Sequence, residues 1–201
     1  GNLGQCWHRN PLMGRSMTST APLQNKTVLI TRDASQAGSL KDKLQNLGAR
    51  VLSVPTIKID DPPDWGLFDQ AASQLNTFSW VVFTSINAVL KTQTRLQHLG
   101  ISLRDSADLK IASIGDQTAK LIDSIGWNTD LIPKTFQSED LGDALISAGV
   151  AGQNVWLPRA MTARPVLIDR LEDAGAVVTV TPVYQNAIPM ENRSLLRDTL
   201  D

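Results

Sequence analysis

At 201 residues, with 19 Lys plus Arg against 20 Asp plus Glu, the chain carries a formal charge of -1, too weak a field for tracking nucleic acid or an anionic membrane. An anionic ligand must therefore be held by local groups. One cysteine, Cys6, offers no intrachain disulfide or thiolate cluster, and no apolar run approaches the ~20 residues that span a bilayer or forms a signal-peptide core, so the expectation is a soluble cytoplasmic protein.

Residues 1–24 read as a disordered lead without hydrophobic period. Met17 is the expected natural start, and the residues before it are set aside from the fold argument. Lys26 to Thr31 reads as a buried strand. Leu40, Leu44 and Leu47 then recur at helical spacing until Gly48 stops the helix. Arg50 to Val54 is the next strand, and Pro55 to Pro63, rich in Asp and Pro, is an extended connection.

A helix from about Leu67 to Leu75 leads into Trp80-Val81-Val82-Phe83, an apolar run of the kind buried on both faces of a parallel sheet. A helix after Thr84-Ser85, a strand over Lys110 to Ile114 and a helix over Thr118 to Ile125 follow. Asp130 to Ile132 reads as a short strand ended by Pro133, and Ser138 as the cap of a helix running to about Ala148. Strand Asn154 to Leu157, helix Thr162 to Ala174 and strand Val177 to Thr181 come next. Pro182 to Pro189 is a second extended connection, and Glu191 to Leu200 is a last helix. Strands alternating with helices of ten to fifteen residues indicate an α/β architecture with mainly parallel sheets.

Two stretches, Val28 to Ile57 and Val155 to Tyr184, align without a gap at an offset of 127 residues. Nine of their thirty positions are identical, among them the pairs Arg32 and Arg159, Leu40 and Leu167, Gly48 and Gly175, and Pro55 and Pro182. Two unrelated strand-helix-strand units share apolar spacing and a glycine, but nothing in that shared pattern calls for the paired Arg and Pro. The repeat therefore reads as an internal duplication. The offset carries Trp80 to about position 207, beyond Asp201, so the second copy is expected to be unfinished.

Two turns deliver small polar residues from a strand's carboxyl end into a helix: Phe83-Thr84-Ser85-Ile86-Asn87-Ala88 and Ile114-Gly115-Asp116-Gln117-Thr118-Ala119. Free backbone N–H groups and the helix dipole hold carboxylate or phosphate at such turns, although ordinary capping uses the same residue types. Arg32 and Arg159 end strands in equivalent places, and each presents a planar fork either to a ligand carboxylate or to a nearby Asp such as Asp33. Tyr184, the only tyrosine, is either a proton donor at a domain junction or a packing residue. Dinucleotide and Walker-type glycine patterns are absent. His8 and His98, the only histidines, leave a metal site or a histidine triad short of parts, and His98 reads as a solvated surface residue. Trp65, Trp80, Trp127 and Trp156 read as core packing.

In order along the chain, Val28-Leu29-Ile30-Thr31-Arg32, Leu47-Gly48-Ala49, Phe83-Thr84-Ser85, Ile114-Gly115-Asp116-Gln117-Thr118-Ala119, Ser138-Glu139-Asp140-Leu141 and Val183-Tyr184-Gln185 resemble the uroporphyrinogen-III synthase family. The resemblance implies two flavodoxin-like, three-layer α/β/α domains joined by a two-stranded linker. One is a continuous domain over residues 62–182. The other is a split domain from residues 25–56 and 188–201, incomplete here, with linkers at 55–62 and 182–189.

It also implies a cofactor-free, metal-free monomeric lyase. The family's substrate is hydroxymethylbilane, a linear tetrapyrrole with eight carboxylates, bound in the cleft between domains. The terminal hydroxyl leaves as water and ring D is inverted through a spiro intermediate before closure. By residue matching, Tyr184 and Thr118 take catalytic places. Ser85 matches a hydroxyl residue facing the cleft, and Thr84, Asn87, Gly115, Gln117 and Ser138, with the strand-end arginines Arg32 and Arg159, are the further candidates for binding such a polycarboxylate. Asn87 stands where some relatives carry a basic residue. A non-catalytic module of the same fold that binds a tetrapyrrole or a protein is the second reading. A solute-binding protein of periplasmic type is a third, against which the absent signal peptide counts.

Overall fold

A computed structural model describes residues 21–32, 34–189, 192 and 197. The expected lead before residue 21, Asp33 as a partner of Arg32 and most of the expected last helix lie outside the described residues. The chain forms two compact units, Gly1–Pro55 and Thr56–Asp201.

In the first unit, β1 (Thr27–Ile30) and β2 (Arg50–Ser53) pair in parallel around the helix α1 (Ala34–Asn46). Lys43 sits in the last helical turn, where the dipole favours a cation. The chain leaves α1 through Gly48, whose φ of 90° lies in the left-handed region. A Cβ there would also meet the Ala21 side chain at 2.7 Å, so two independent constraints select glycine.

The second unit runs β3 (Lys58–Asp60), α2 (Gly66–Ser73), β4 (Trp80–Phe83), α3 (Ile86–Leu99), β5 (Lys110–Ser113), α4 (Asp116–Ser124), α5 (Ser138–Ser147), β6 (Asn154–Ala160), α6 (Val166–Asp173) and β7 (Val177–Ala187). Its sheet has the order β3-β7-β6-β4-β5. All neighbours are parallel except β3 and β7, which pair antiparallel with Lys58 opposite Ala187 and Asp60 opposite Gln185. Alternation along β4 sends its side chains to two cores. Val81 and Phe83 join Phe68 of α2, Val89 and Leu96 of α3, and Ile122 of α4. Trp80 and Val82 join Leu141 and Leu145 of α5, and Leu167 and Leu171 of α6. Helices thus cover both faces, which is why β4 is buried along its whole length.

The repeat is visible in the backbone. Thr27 pairs with Arg50 and Asn154 with Val177, and the register stays in step through Ile30 opposite Ser53 and Leu157 opposite Val180. Gly48 and Gly175 have φ of 90° and 88°. Ala49 donates to the Leu44 carbonyl at 3.1 Å, and its counterpart Ala176 donates to that of Leu171 at 2.9 Å.

Several boundaries differ from the sequence reading. Helix α6 starts at Val166 rather than Thr162, because Pro165 disfavours helical backbone at the residue before it, Arg164. Ser138 is the first residue of α5 and Gln137 is its cap, without a side-chain capping bond. Asp130 to Ile132 contributes a single bridge, Leu131 to Ala112, beside an Asp130 carboxylate that accepts the Ile111 N–H at 2.7 Å. Pro182 to Ala187 continues β7 rather than leaving the sheet. Among the described residues no helix is long and apolar enough to cross a membrane.

Candidate functional site

After β4 the chain adds β5 on one side and then crosses to the other side to add β6. The carboxyl ends of β4 and β6 therefore flank a topological switch point, where open α/β sheets leave a crevice for ligands. A cleft of about 270 Å³ lies there, lined by Thr84 and Ser85 after β4, Ser138 at the start of α5, Arg159 and Arg164 around the end of β6, and Tyr184 of β7.

Ser85 is extended, with φ of -163°, and its Oγ accepts the Ala88 N–H at 3.1 Å, capping α3. The same Oγ lies 3.2 Å from Tyr184 Oη, with either hydroxyl able to donate. Tyr184 reaches this position through a β-bulge. Arg159 opposes Pro182, but the next residue, Ala160, opposes Tyr184, so Val183 is the extra residue of β7. Strict alternation would send Val183 and Tyr184 to opposite faces. The bulge instead puts both into the core with Phe68 and Phe83, at 0% and 8% exposure. The Met161 N–H donates to the Tyr184 carbonyl at 2.8 Å and closes the irregular pair.

Arg159 is 8% exposed, and its Nη2 donates to the Arg164 carbonyl at 2.7 Å. Burial pushes its pKa below the usual arginine range, while Tyr184 acts in the opposite direction. Among the described residues no carboxylate pairs with it; the ion pairs join Lys58 to Asp60, Lys91 to Asp61, Arg95 to Asp69 and Arg170 to Asp143. A desolvated guanidinium without a counter-ion is expensive. Together with the N-terminus of α3, it makes the cleft receptive to an anion. Among the described residues no group of three or more His, Cys, Asp or Glu is placed to hold a metal ion.

The family model for uroporphyrinogen-III synthase HemD matches residues 38–201. The chain belongs to the uroporphyrinogen-III synthase family. It is 34% identical over 171 residues to uroporphyrinogen-III synthase of Synechococcus elongatus, a match covering 85% of this chain and 64% of that protein. It is 25% identical over 179 residues to the porphyrin biosynthesis protein HemD of Ruminiclostridium josui, covering 89% of this chain and 36% of that one. The chain thus spans less than two thirds of the length of either relative. A mutant uroporphyrinogen III synthase from the extremely thermophilic bacterium Thermus thermophilus shares the fold with a TM-score of 0.62 at 16% identity, over 86% of this chain and 69% of that chain.

Of the site residues expected from the sequence, the cleft gathers Thr84, Ser85, Ser138, Arg159 and Tyr184. Asn87, half-buried on the first turn of α3, is not part of its lining. From the turn between β5 and α4 only Ile114 reaches the cleft lining, whereas Gly115, Gln117 and Thr118 are not part of it. Gly115 is buried against Phe136, whose ring would stand 3.0 Å from a Cβ at that position. Thr118 is 5% exposed, its N–H donating to the Gly115 carbonyl at 3.1 Å, and Gln117 is exposed to solvent. Arg32 follows β1 in the first unit and is exposed.

Thr162, Arg164 and Asn186 line the cleft and were missed. The Arg164-Pro165 step marked a loop rather than a helix interior. Asn186 lies two residues beyond Tyr184, a spacing that shares a face once β7 is recognised as a continuous strand.

Proposed function

We propose that the protein containing this chain is a cytoplasmic, monomeric and cofactor-free uroporphyrinogen-III synthase, which cyclises hydroxymethylbilane with inversion of ring D and loss of water. The observation that carries this reading is Tyr184 Oη, lodged by the bulge 3.2 Å from Ser85 Oγ, in a cleft that also holds a buried guanidinium. The reaction needs a proton donor for the departing hydroxyl and a fixed, donor-lined surface that favours the inverted closure.

Tyr184 supplies the proton, and the hydroxyl leaves as water from a carbon that becomes an azafulvene-like cation. Thr84, Ser85 and Asn87 at the N-terminus of α3, Ser138, Arg159 and Arg164 hold substrate carboxylates, as do Gly115 and Gln117 after β5 and Arg32 after β1. Thr118 backs the β5–α4 turn. The antiparallel pair of β3 with the end of β7 supports a two-stranded linker. It would join a flavodoxin-like domain over residues 62–182 to a split one that includes residues 25–56 and 188–201.

The test is incubation of the full-length protein with freshly made hydroxymethylbilane and resolution of the two uroporphyrinogen isomers. Isomer III is expected, and Tyr184→Phe should lower its rate on the order of a hundredfold. Isomer I alone would remove the enzymatic reading and leave a binding module; full turnover by the Phe variant would remove the acid role.

A further inference from the structure

We propose, resting on the synthase reaction inferred for this cleft, that Ser85 is the positioning residue for Tyr184: its hydroxyl donates to Tyr184 Oη and so leaves the phenolic proton turned into the cleft, toward the oxygen that is to depart. The reaction by itself asks only for an acid and does not say what aims the acid's proton.

The two hydroxyl oxygens lie 3.2 Å apart and share one hydrogen bond, with either able to donate. A serine hydroxyl has one proton to give and two lone pairs. One lone pair of Ser85 Oγ is taken by the Ala88 N–H at 3.1 Å, and among the described residues Tyr184 Oη is the one other group within hydrogen-bond reach of that oxygen. One proton of the pair is therefore left without a protein partner there. If the phenol donates, the leftover proton is the serine's and the acid is engaged with its neighbour. If the serine donates, the leftover proton is the phenol's, in a side chain that lines the cleft.

The start of α3 decides between the two. The Ala88 N–H belongs to the first helical turn, at the positive end of the helix dipole. Its bond to Oγ draws electron density from the serine oxygen, which strengthens the O–H as a donor and weakens the oxygen as a second acceptor. The run from Ala88 N–H through Ser85 Oγ–H to Tyr184 Oη thus points one way. Capping alone does not require the hydroxyl: at the same edge of the sheet, α4 starts from Gly115 without a side-chain capping bond.

In the reaction, the electrons of the breaking C–O bond stay with the terminal oxygen, which takes the phenolic proton and leaves as water. The carbon keeps the positive charge, and the Tyr184 phenolate oxygen keeps the hydrogen bond from Ser85. After ring closure, the pyrrole α-carbon loses a proton to restore aromaticity, and that proton returns to Tyr184. A substrate carboxylate meets the Ser85 turn through its backbone N–H groups, while the side chain serves the phenol.

Ser85→Gly separates these jobs in the full-length protein, because glycine is an acceptable cap residue, keeps the backbone N–H groups and has no hydroxyl. It should lower kcat about tenfold with little change in KM, and Ser85→Thr should restore most of the loss. Ser85→Ala replaces the Gly variant if that one fails to fold. A rise in KM at constant kcat would make the Ser85 hydroxyl a substrate ligand, and wild-type kcat in the Gly variant would leave it a cap alone; either result overturns the proposal.

The direction of the bond is read without turnover. The intensity ratio of tyrosine's paired Raman bands rises when the phenolic oxygen accepts a hydrogen bond and falls when the phenol only donates. Subtracting the spectrum of the matching Tyr184→Phe variant isolates Tyr184. The ratio should fall in Ser85→Gly and return in Ser85→Thr; a ratio that rises or stays unchanged overturns the proposal. Absence of isomer III from the wild-type protein would sink the functional reading alone, since the Raman ratio would still decide which hydroxyl donates.

Discussion

The two copies of the strand-helix-strand repeat share a register and differ in what covers them. In the second copy, Leu167 and Leu171 of α6 are 2% and 0% exposed because Leu141 and Leu145 of α5 pack against them. In the first, Leu40 is 40% exposed and Leu44 is half-buried. One helical period and one pair of parallel strands therefore yield two very different energetic situations. Periodicity specifies which face of a helix is apolar, and only the neighbouring layer turns that face into a core.

The sharpest way to break this comparison is truncation of the matched leucines. Leu167→Ala should cost about 2–5 kcal/mol through lost burial and a residual cavity, seen as a lower denaturant midpoint in tryptophan fluorescence. Leu40→Ala should cost less than about 1 kcal/mol, read as little change in hydrogen exchange along β1 and β2. Equal effects would mean that the first copy is as well covered as the second.

A smaller difference separates the paired strands. Trp156 Nε1 donates to Thr181 Oγ1 at 2.9 Å, with both residues fully buried, whereas the matched positions in the first copy are Leu29 and Val54. Thr181→Val leaves a buried indole N–H without an acceptor and should cost about 1–3 kcal/mol. Adding Trp156→Phe removes the orphaned donor, so the double variant should lose less than the sum of the two singles. Strict additivity in denaturation would show that the bond carries no coupling.

The smallest effect concerns the turn glycines. Both sit near a φ of 90°, so Ala at either position should cost about 1 kcal/mol for the left-handed backbone. A Cβ at Gly175 meets nothing within 4 Å, while one at Gly48 meets Ala21 at 2.7 Å and the Gln24 nitrogen at 3.3 Å. Gly48→Ala should therefore exceed Gly175→Ala and speed hydrogen exchange at Lys26 and Arg50, which the close approach of residues 21–24 supports.

Much of the fold was legible because its signals are local. The run Trp80 to Phe83 announced a strand buried on both faces, and the paired glycines announced helix ends. Pro182 misled: a proline after Thr181 looked like the end of a strand, yet β7 continues through it. The residue sits where β3, whose pairing stops at Gln185, leaves that side of β7 uncovered, and uncovered strand sides tolerate a missing donor. The candidate site was legible in its types and less so in its membership. Ser85, Arg159 and Tyr184 line one cleft, while Thr118 is buried on the first turn of α4 and Arg164 lines the cleft without having been singled out.

The sequence by itself determined the duplication, the parallel pairing inside each copy and the glycines at both helix ends, since backbone sterics and a repeated hydrophobic period act over a few residues. The tertiary structure alone decided which arginine of the matched pair is buried and that a one-residue bulge turns Tyr184 into the core toward Ser85. Burial depends on the layer that arrives from elsewhere in the chain, and a bulge depends on the register between two strands, which no single segment encodes.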